Sequence, residues 1–189
     1  MEKGLLIVVS APAGCGKGTI LGKILKNEKY YYSVSATTRN PRPGEVDGKN
    51  YRFMTKTEFE NLIGENAFLE HAQYCDNYYG TLRAPIEENL SAGKHVILEI
   101  EVQGAMQIRQ LCPDAKFIFI APPSIETLYE RLRKRGTEDE ATIEKRVKQA
   151  EYELTLKTQY DYCIVNDVLE NAVADFKAII RAEELKVRS

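Results

Sequence analysis

The sequence predicts an α/β fold, a parallel sheet with helices on both faces, carrying one small mixed insertion. Three observations point there. Near-continuous apolar runs recur at Leu5-Leu6-Ile7-Val8-Val9-Ser10, His95-Val96-Ile97-Leu98-Glu99-Ile100 and Lys116-Phe117-Ile118-Phe119-Ile120-Ala121, the pattern of strands covered on both faces. Segments of helical periodicity alternate with them along the chain. The first run also passes directly into Ala11-Pro12-Ala13-Gly14-Cys15-Gly16-Lys17-Gly18-Thr19, a glycine-rich loop that opens a helix.

The elements follow in order. After the first strand and its helix, Tyr31 to Ser35 reads as a strand, and Arg39 to Gly48 as a loop rich in Pro and Gly. Asn50-Tyr51-Arg52-Phe53 is strand-like. Thr55 with Glu58 forms a capping box for a short helix through Ile63, and Phe68 to Tyr74 returns as a strand. Residues 35–82 therefore read as an insertion of short strands and turns. The α/β rhythm resumes with a helix over 84–90, the strand from His95, a helix over 103–111 and the strand from Lys116. Two charged helices follow, separated by Gly136-Thr137, with Thr137 and Glu140 as a second expected capping box. Tyr162 to Asn166 is the last strand, before a closing amphipathic helix. In such sheets ligands bind at the carboxyl ends of the strands.

A chain of 189 residues with 43% apolar content buries a substantial core, and its length suits one domain with an insertion. The formal net charge of -2 supplies no general field for nucleic acid or an anionic membrane, so neither partner is expected. No run approaches a membrane span, and Met1-Glu2-Lys3-Gly4 leads into a core strand without signal-peptide architecture, so the expected location is cytoplasmic. Cys15, Cys75, Cys112 and Cys163 are scattered, which fits reduced thiols better than disulfides or a zinc site. Cys15 has two readings: a thiol activated by the surrounding N–H groups and Lys17, or a small loop filler.

The glycine-rich loop is suited to phosphate. Gly14, Gly16 and Gly18 permit backbone angles that turn successive N–H groups onto an anion, while Lys17 reaches between phosphates. The pattern G-x-x-x-x-G-K-[ST] is met with two departures: Ala11 replaces the first glycine, and Gly18 the hydroxyl residue, with Thr19 one place later. An ordinary glycine-rich turn is the alternative. Arg39 and Arg42 place two planar guanidinium forks in a proline-restricted loop, which suits a phosphate better than lysines would, although such a pair is also an ordinary solvated surface. Tyr51, Tyr78 and Tyr79 add phenolic donors, or simply core packing. Alternation puts Glu99 and Glu101 on one face at a strand's carboxyl end, where a divalent cation or plain solvation would use them. Arg131, Arg133, Lys134, Arg135 and Arg146 concentrate positive charge on the two charged helices.

Ser35 to Tyr51, Phe68 to Thr81 and Glu99 to Gly104 closely resemble the guanylate kinase family, and the similarity extends over essentially the whole chain. The resemblance implies a core of about 1–34, 83–130 and 158–189, a GMP-binding insertion of about 35–82 and a lid of about 131–157. It implies Mg²⁺-dependent transfer of the γ-phosphoryl group of ATP to GMP, giving ADP and GDP. Ala11, Pro12, Ala13, Gly14, Cys15, Gly16, Lys17, Gly18, Thr19, Arg131 and Asn166 would hold ATP. Ser35, Arg39, Arg42, Tyr51, Glu70, Tyr79, Thr81 and Glu101 would hold GMP. The catalytic set would be Lys17, Arg39, Arg42, Arg135 and Arg146, and Glu99 and Glu101 would meet the metal through water. Family members often carry Asp at one or both of these last positions. A monomer or homodimer acting on small-molecule substrates is expected. Two alternatives share parts of the pattern. Another nucleoside monophosphate kinase should lack the Ser35-to-Arg42 and Glu70-to-Thr81 elements, and a phosphopeptide-binding scaffold domain should have lost parts of the ATP site that Lys17 and the lid arginines retain.

Overall fold

The apolar run at the start of the chain forms strand β1 (Leu6–Ser10), and Lys17–Ile24 forms helix α1. The computed structural model describes residues 3–74, 76–136 and 139–187. There follow β2 (Tyr30–Ser33), β3 (Ala36–Thr37), β4 (Arg52–Phe53), α2 (Lys56–Gly64), β5 (Phe68–Tyr74), β6 (Asn77–Leu82), α3 (Arg83–Ser91) and β7 (His95–Glu99). Then come α4 (Val102–Leu111), β8 (Lys116–Ala121), α5 (Ile125–Arg135), α6 (Glu140–Thr155), a 3₁₀ turn at Leu156–Gln159, β9 (Tyr162–Val165) and α7 (Leu169–Leu185). Strands order as β2-β7-β1-β8-β9 in one sheet and β4-β3-β6-β5 in another. By contacts the chain divides into two units, Met1–Ile7 with Glu28–Ala115, and Val8–Asn27 with Lys116–Ser189.

In the first unit β2 pairs parallel with β7, from Tyr30 opposite His95 to Ser33 opposite Leu98. The backbone N–H of Leu5 donates to Nδ1 of buried His95 at 3.0 Å, so that nitrogen is an acceptor and carries no proton. The second sheet belongs wholly to this unit. Its small core packs Ala36, Phe59 and Phe68 with Met54, Leu62, Ile63, Tyr78 and Leu82, and the Phe59 and Phe68 rings stack at 4.2 Å. Gly80 is required by this core, because a Cβ there would stand 2.8 Å from Phe68 and 2.9 Å from Phe59. The Thr55–Glu58 capping box opens α2 as the sequence predicts. The β3 and β6 strands are new: two-residue β3 is too short for periodicity to register, and Asn77-Tyr78-Tyr79-Gly80 reads locally as a turn.

In the second unit β8 pairs parallel with β9, from Ile118 opposite Tyr162 to Ala121 opposite Val165. Helix α5 starts at Ser124, whose hydroxyl accepts from the N–H of Thr127 at 3.1 Å, buries Leu128 and Leu132 one turn apart, and stops at Gly136, where φ is +64°. Thr137 lies outside the described residues, and the cap of α6 is Asp139, whose carboxylate accepts from the N–H of Thr142 at 2.8 Å. Glu140 is therefore the first helical residue rather than the reciprocal member of a box. Helix α7 buries Ala172, Val173, Phe176, Ile180 and Glu183. Burial raises the Glu183 carboxyl, but the Tyr162 hydroxyl and Lys116, at 3.2 Å, outweigh it and hold the group below its usual range.

Candidate active site

Two sets of expected residues come together, one in each unit. In the second unit the loop after β1 is shaped by Gly14 and Gly16, with φ of +88° and +80°. Both need glycine twice over, for conformation and for space. A Cβ on Gly14 would stand 2.9 Å from Leu132 and 3.0 Å from Leu128, and one on Gly16 would stand 2.4 Å from Nδ2 of Asn166. Gly18 departs from expectation: it is an ordinary helical residue of α1 with nothing within 4 Å of a Cβ, so neither angle nor space demands glycine. Ala11 is not among the residues with positive φ, which is why alanine fits where the pattern has its first glycine. Pro12 is buried and Ala13 exposed. Gly16 caps α1 without a side chain, so the first N–H groups of the helix have no side-chain cap, the arrangement that receives anions. Lys17, the first helical residue, is half-buried, and Thr19 is exposed.

Asn166, expected among the residues that hold ATP, has a local role in the loop. Its Nδ2 donates to the carbonyl of Cys15 at 2.7 Å, and its own backbone carbonyl accepts from Nη2 of Arg131 at 2.9 Å. The amide therefore braces the glycine loop against the end of β9. Cys15 is fully buried, and burial pushes its thiol up to about 12, against the smaller opposing effect of Arg131. Of its two readings the loop filler holds. Arg135 ends α5 exposed, and Arg146 is half-buried on α6.

In the first unit the antiparallel register of β5 and β6 puts Glu70 opposite Thr81. The Thr81 hydroxyl donates to Oε1 of Glu70 at 2.6 Å, and both residues are buried. Burial raises the Glu70 carboxyl above its usual range, with the Thr81 hydrogen bond opposing. Nearby in the same sheet, Thr37 accepts from the N–H of Arg39 at 3.2 Å and donates to the carbonyl of Tyr78 at 2.9 Å, so the chain leaves β3 with Arg39 aimed by its neighbours. The Arg39 guanidinium lies 5.3 Å from the centre of the Tyr51 ring, which meets Tyr79 edge-on at 6.1 Å. Ser35 is half-buried, Arg42 exposed. A cavity of about 180 Å³ is lined by Tyr32, Ser35, Glu45, Asn50, Tyr51 and Glu99.

Glu99 ends β7 and accepts from the Tyr32 hydroxyl at 3.0 Å. Glu101 lies beyond the end of β7 as the N-cap of α4, exposed, with no side-chain cap bond to that helix, so alternation along the strand does not itself pair it with Glu99. Burial and Glu99 together raise the Tyr32 phenol. Sequence reasoning assigned no part to Tyr32, Glu45, Asn50 or Gly104. Only Glu45 left a signal, an acid closing a proline turn that holds two arginines.

Residues 3–183 match the family described as Guanylate kinase. A guanylate kinase of Latilactobacillus sakei is 51% identical over 188 residues, covering 98% of this chain and 93% of that one. One from Thermus thermophilus is 50% identical over 181 residues, covering 96% and 82%. The crystal structure of guanylate kinase from Anaplasma phagocytophilum superposes with a TM-score of 0.79 at 34% identity, covering 99% of this chain and 89% of that one. Sheet order, glycine loop and relatives agree: the chain belongs to the guanylate kinase family.

Proposed function

We propose that the protein transfers the γ-phosphoryl group of ATP to GMP, giving ADP and GDP. The observation that carries this reading is the buried Glu70 carboxylate, ordered by Thr81. A carboxylate accepts from both N1–H and the exocyclic amine of guanine, whereas adenine offers neither donor on that edge. Arg39, Arg42, Tyr51 and Tyr79 would bind the GMP phosphate, with Ser35 and Glu101 beside the base. The loop from Ala11 to Thr19 would hold the ATP phosphates through its amides and Lys17. Arg131 would help hold ATP, and Arg135 and Arg146 would offset the charge that develops during transfer. Segment 35–82 serves as the GMP-binding insertion, 131–157 as the lid, and the rest as the core.

Catalysis on this account is positional and electrostatic, with no covalent nucleophile from the protein. Glu99 and Glu101 offer hard oxygen donors at a strand end, the donor chemistry that suits Mg²⁺, and they would hold it through water. When bound, Mg²⁺ would neutralise phosphate charge and orient the donor. Among the described residues no helix is long and apolar enough to cross a membrane, and with free thiols at Cys15, Cys112 and Cys163 this supports work in the cytoplasm.

A coupled assay of ADP formation with ATP, Mg²⁺ and each nucleoside monophosphate in turn tests the reading. GMP should be turned over and AMP should be poorer by roughly 10⁴-fold. Lys17→Ala should fold and lose nearly all transfer. Equal use of AMP, or near-normal turnover by Lys17→Ala, would overturn the assignment.

A further inference from the structure

The guanidinium of Arg39 has five N–H donors, and the structure accounts for three. Nη1 donates to the carbonyl of Asn40 at 2.7 Å and to Oε2 of Glu45 at 2.9 Å, and Nη2 donates to Oε1 of Glu45 at 3.0 Å. The Glu45 carboxylate thus takes the end-on edge in the bidentate manner. The two donors left over, Nε–H and the outer N–H of Nη2, run parallel along the side-on edge. The Tyr79 phenol also hydrogen-bonds this guanidinium. The Tyr51 and Phe53 rings, at 5.3 and 5.7 Å, limit how the plane can turn.

Glu45 holds its second arginine by the backbone. Its Oε2 also accepts from the N–H of Arg42 at 2.7 Å, and its own N–H donates to the carbonyl of Arg42 at 3.0 Å. One carboxylate therefore ties together both arginines of the loop, at the wall of the cavity that Ser35 and Tyr51 also line.

We propose that Glu45 is a positioning residue for the acceptor phosphate: by occupying the end-on edge of Arg39 and the N–H of Arg42, it turns the side-on edge of Arg39, with the Tyr79 phenol beside it, toward that phosphate as a fork. The inference rests on the GMP reading above and adds a residue that does not itself touch the nucleotide. Its sign is opposite to that of simple charge. Removing the Glu45 charge makes the loop more positive, so a site governed by net attraction, or one in which Glu45 competes with phosphate for Arg39, would bind GMP more tightly without it. A positioned fork binds GMP less tightly without it, because the freed guanidinium must be ordered each time the phosphate arrives.

The test compares wild type, Glu45→Gln, Glu45→Asp, Arg39→Ala and the Glu45→Gln/Arg39→Ala double variant by calorimetric titration with GMP and with guanosine, which has no phosphate. Glu45→Gln should weaken GMP by about ten-fold, a difference of about 1.4 kcal/mol, leave guanosine unchanged, and raise KM for GMP but not for ATP. Glu45→Asp, with the charge kept but the reach shortened, should fall between it and wild type. In the Arg39→Ala background Glu45→Gln should add no further loss. Tighter or unchanged GMP binding by Glu45→Gln overturns the proposal, as does parallel weakening of guanosine, which would mark a structural role. If Glu45→Gln does not fold, the same criteria apply to Glu45→Asp. A wild-type protein that binds GMP no better than guanosine would instead sink the phosphate assignment itself.

Discussion

Gly104 faces the Glu70 carboxylate so closely that a Cβ on it would stand 3.3 Å from Oε2 and 3.7 Å from Cδ. Helix α4 approaches β5 at this point, and the missing side chain leaves the space in which the carboxylate sits. Gly104→Ala should push Glu70 from its place while favouring the helix, since alanine exceeds glycine there by up to about 1 kcal/mol. The expected result is a fall of about ten-fold in kcat/KM for GMP, an unchanged KM for ATP and no loss of thermal midpoint. Steady-state kinetics with a melting curve checks both halves, and a variant with wild-type GMP kinetics would show that Glu70 has room to spare.

Glu70 should cost the fold stability at neutral pH. Burial raises its carboxyl, so the folded state holds its proton more tightly than the unfolded chain does. Stability then falls as pH rises from the usual carboxylate range through the raised value, and stays lower above it. Glu70→Gln carries no charge to bury and keeps an acceptor for Thr81. Its melting temperature should exceed that of wild type at pH 8, with the gap closing in acid below the usual carboxylate range. Its kcat/KM for GMP should drop by ~10²-fold or more. A melting temperature at pH 8 below that of wild type would contradict this account.

What the sequence made legible was whatever repeats or stands in an unbroken run. Phe68–Tyr74 and Lys116–Ala121 are strands over their whole expected spans, and the Thr55–Glu58 box lies where its spacing puts it. The β6 strand was hidden because Asn77 and Gly80 are turn-forming residues locally, and the glycine is explained by Phe59 on α2 and Phe68 on β5. The site was legible as residue types but not as partnerships. Arg39 stood out as a phosphate ligand, yet the carboxylate that holds it is six positions away across a proline turn. Asn166 stood out only as one of the residues to hold ATP, while its amide serves the backbone of Cys15, 151 positions earlier in the chain. Such pairings depend on which strand ends meet, and composition carries no trace of that.

Asn166→Ala should loosen the donor loop. It leaves the buried carbonyl of Cys15 without its 2.7 Å donor, a cost of roughly 1–3 kcal/mol. Chemical denaturation should report that loss, and ATP affinity should weaken more than GMP affinity. Unchanged stability would mean that another donor replaces the amide.

Cys15 should be inert in the folded protein. Its full burial and a thiol pushed up to about 12 leave almost no thiolate at pH 8. Iodoacetamide followed by peptide mass analysis should find Cys15 unmodified until denaturant is added. Modification at the rate of a free thiol would show that the loop opens.

The bond from Asn166 to Cys15 and the grip of Glu183 on Lys116 and Tyr162 bear on how the protein is made. Synthesis runs from the amino end, and domains fold as units as their chain emerges. The unit holding the glycine loop is assembled from Val8–Asn27 and Lys116–Ser189, so Cys15 is made 151 positions ahead of the Asn166 amide that braces it. Residues Glu28–Ala115, made in between, have most of their own partners in hand well before that. A nascent chain stalled before Glu183 therefore lacks the carboxylate that seats Lys116 and Tyr162, and the unit holding the glycine loop gains that contact only once α7 is made.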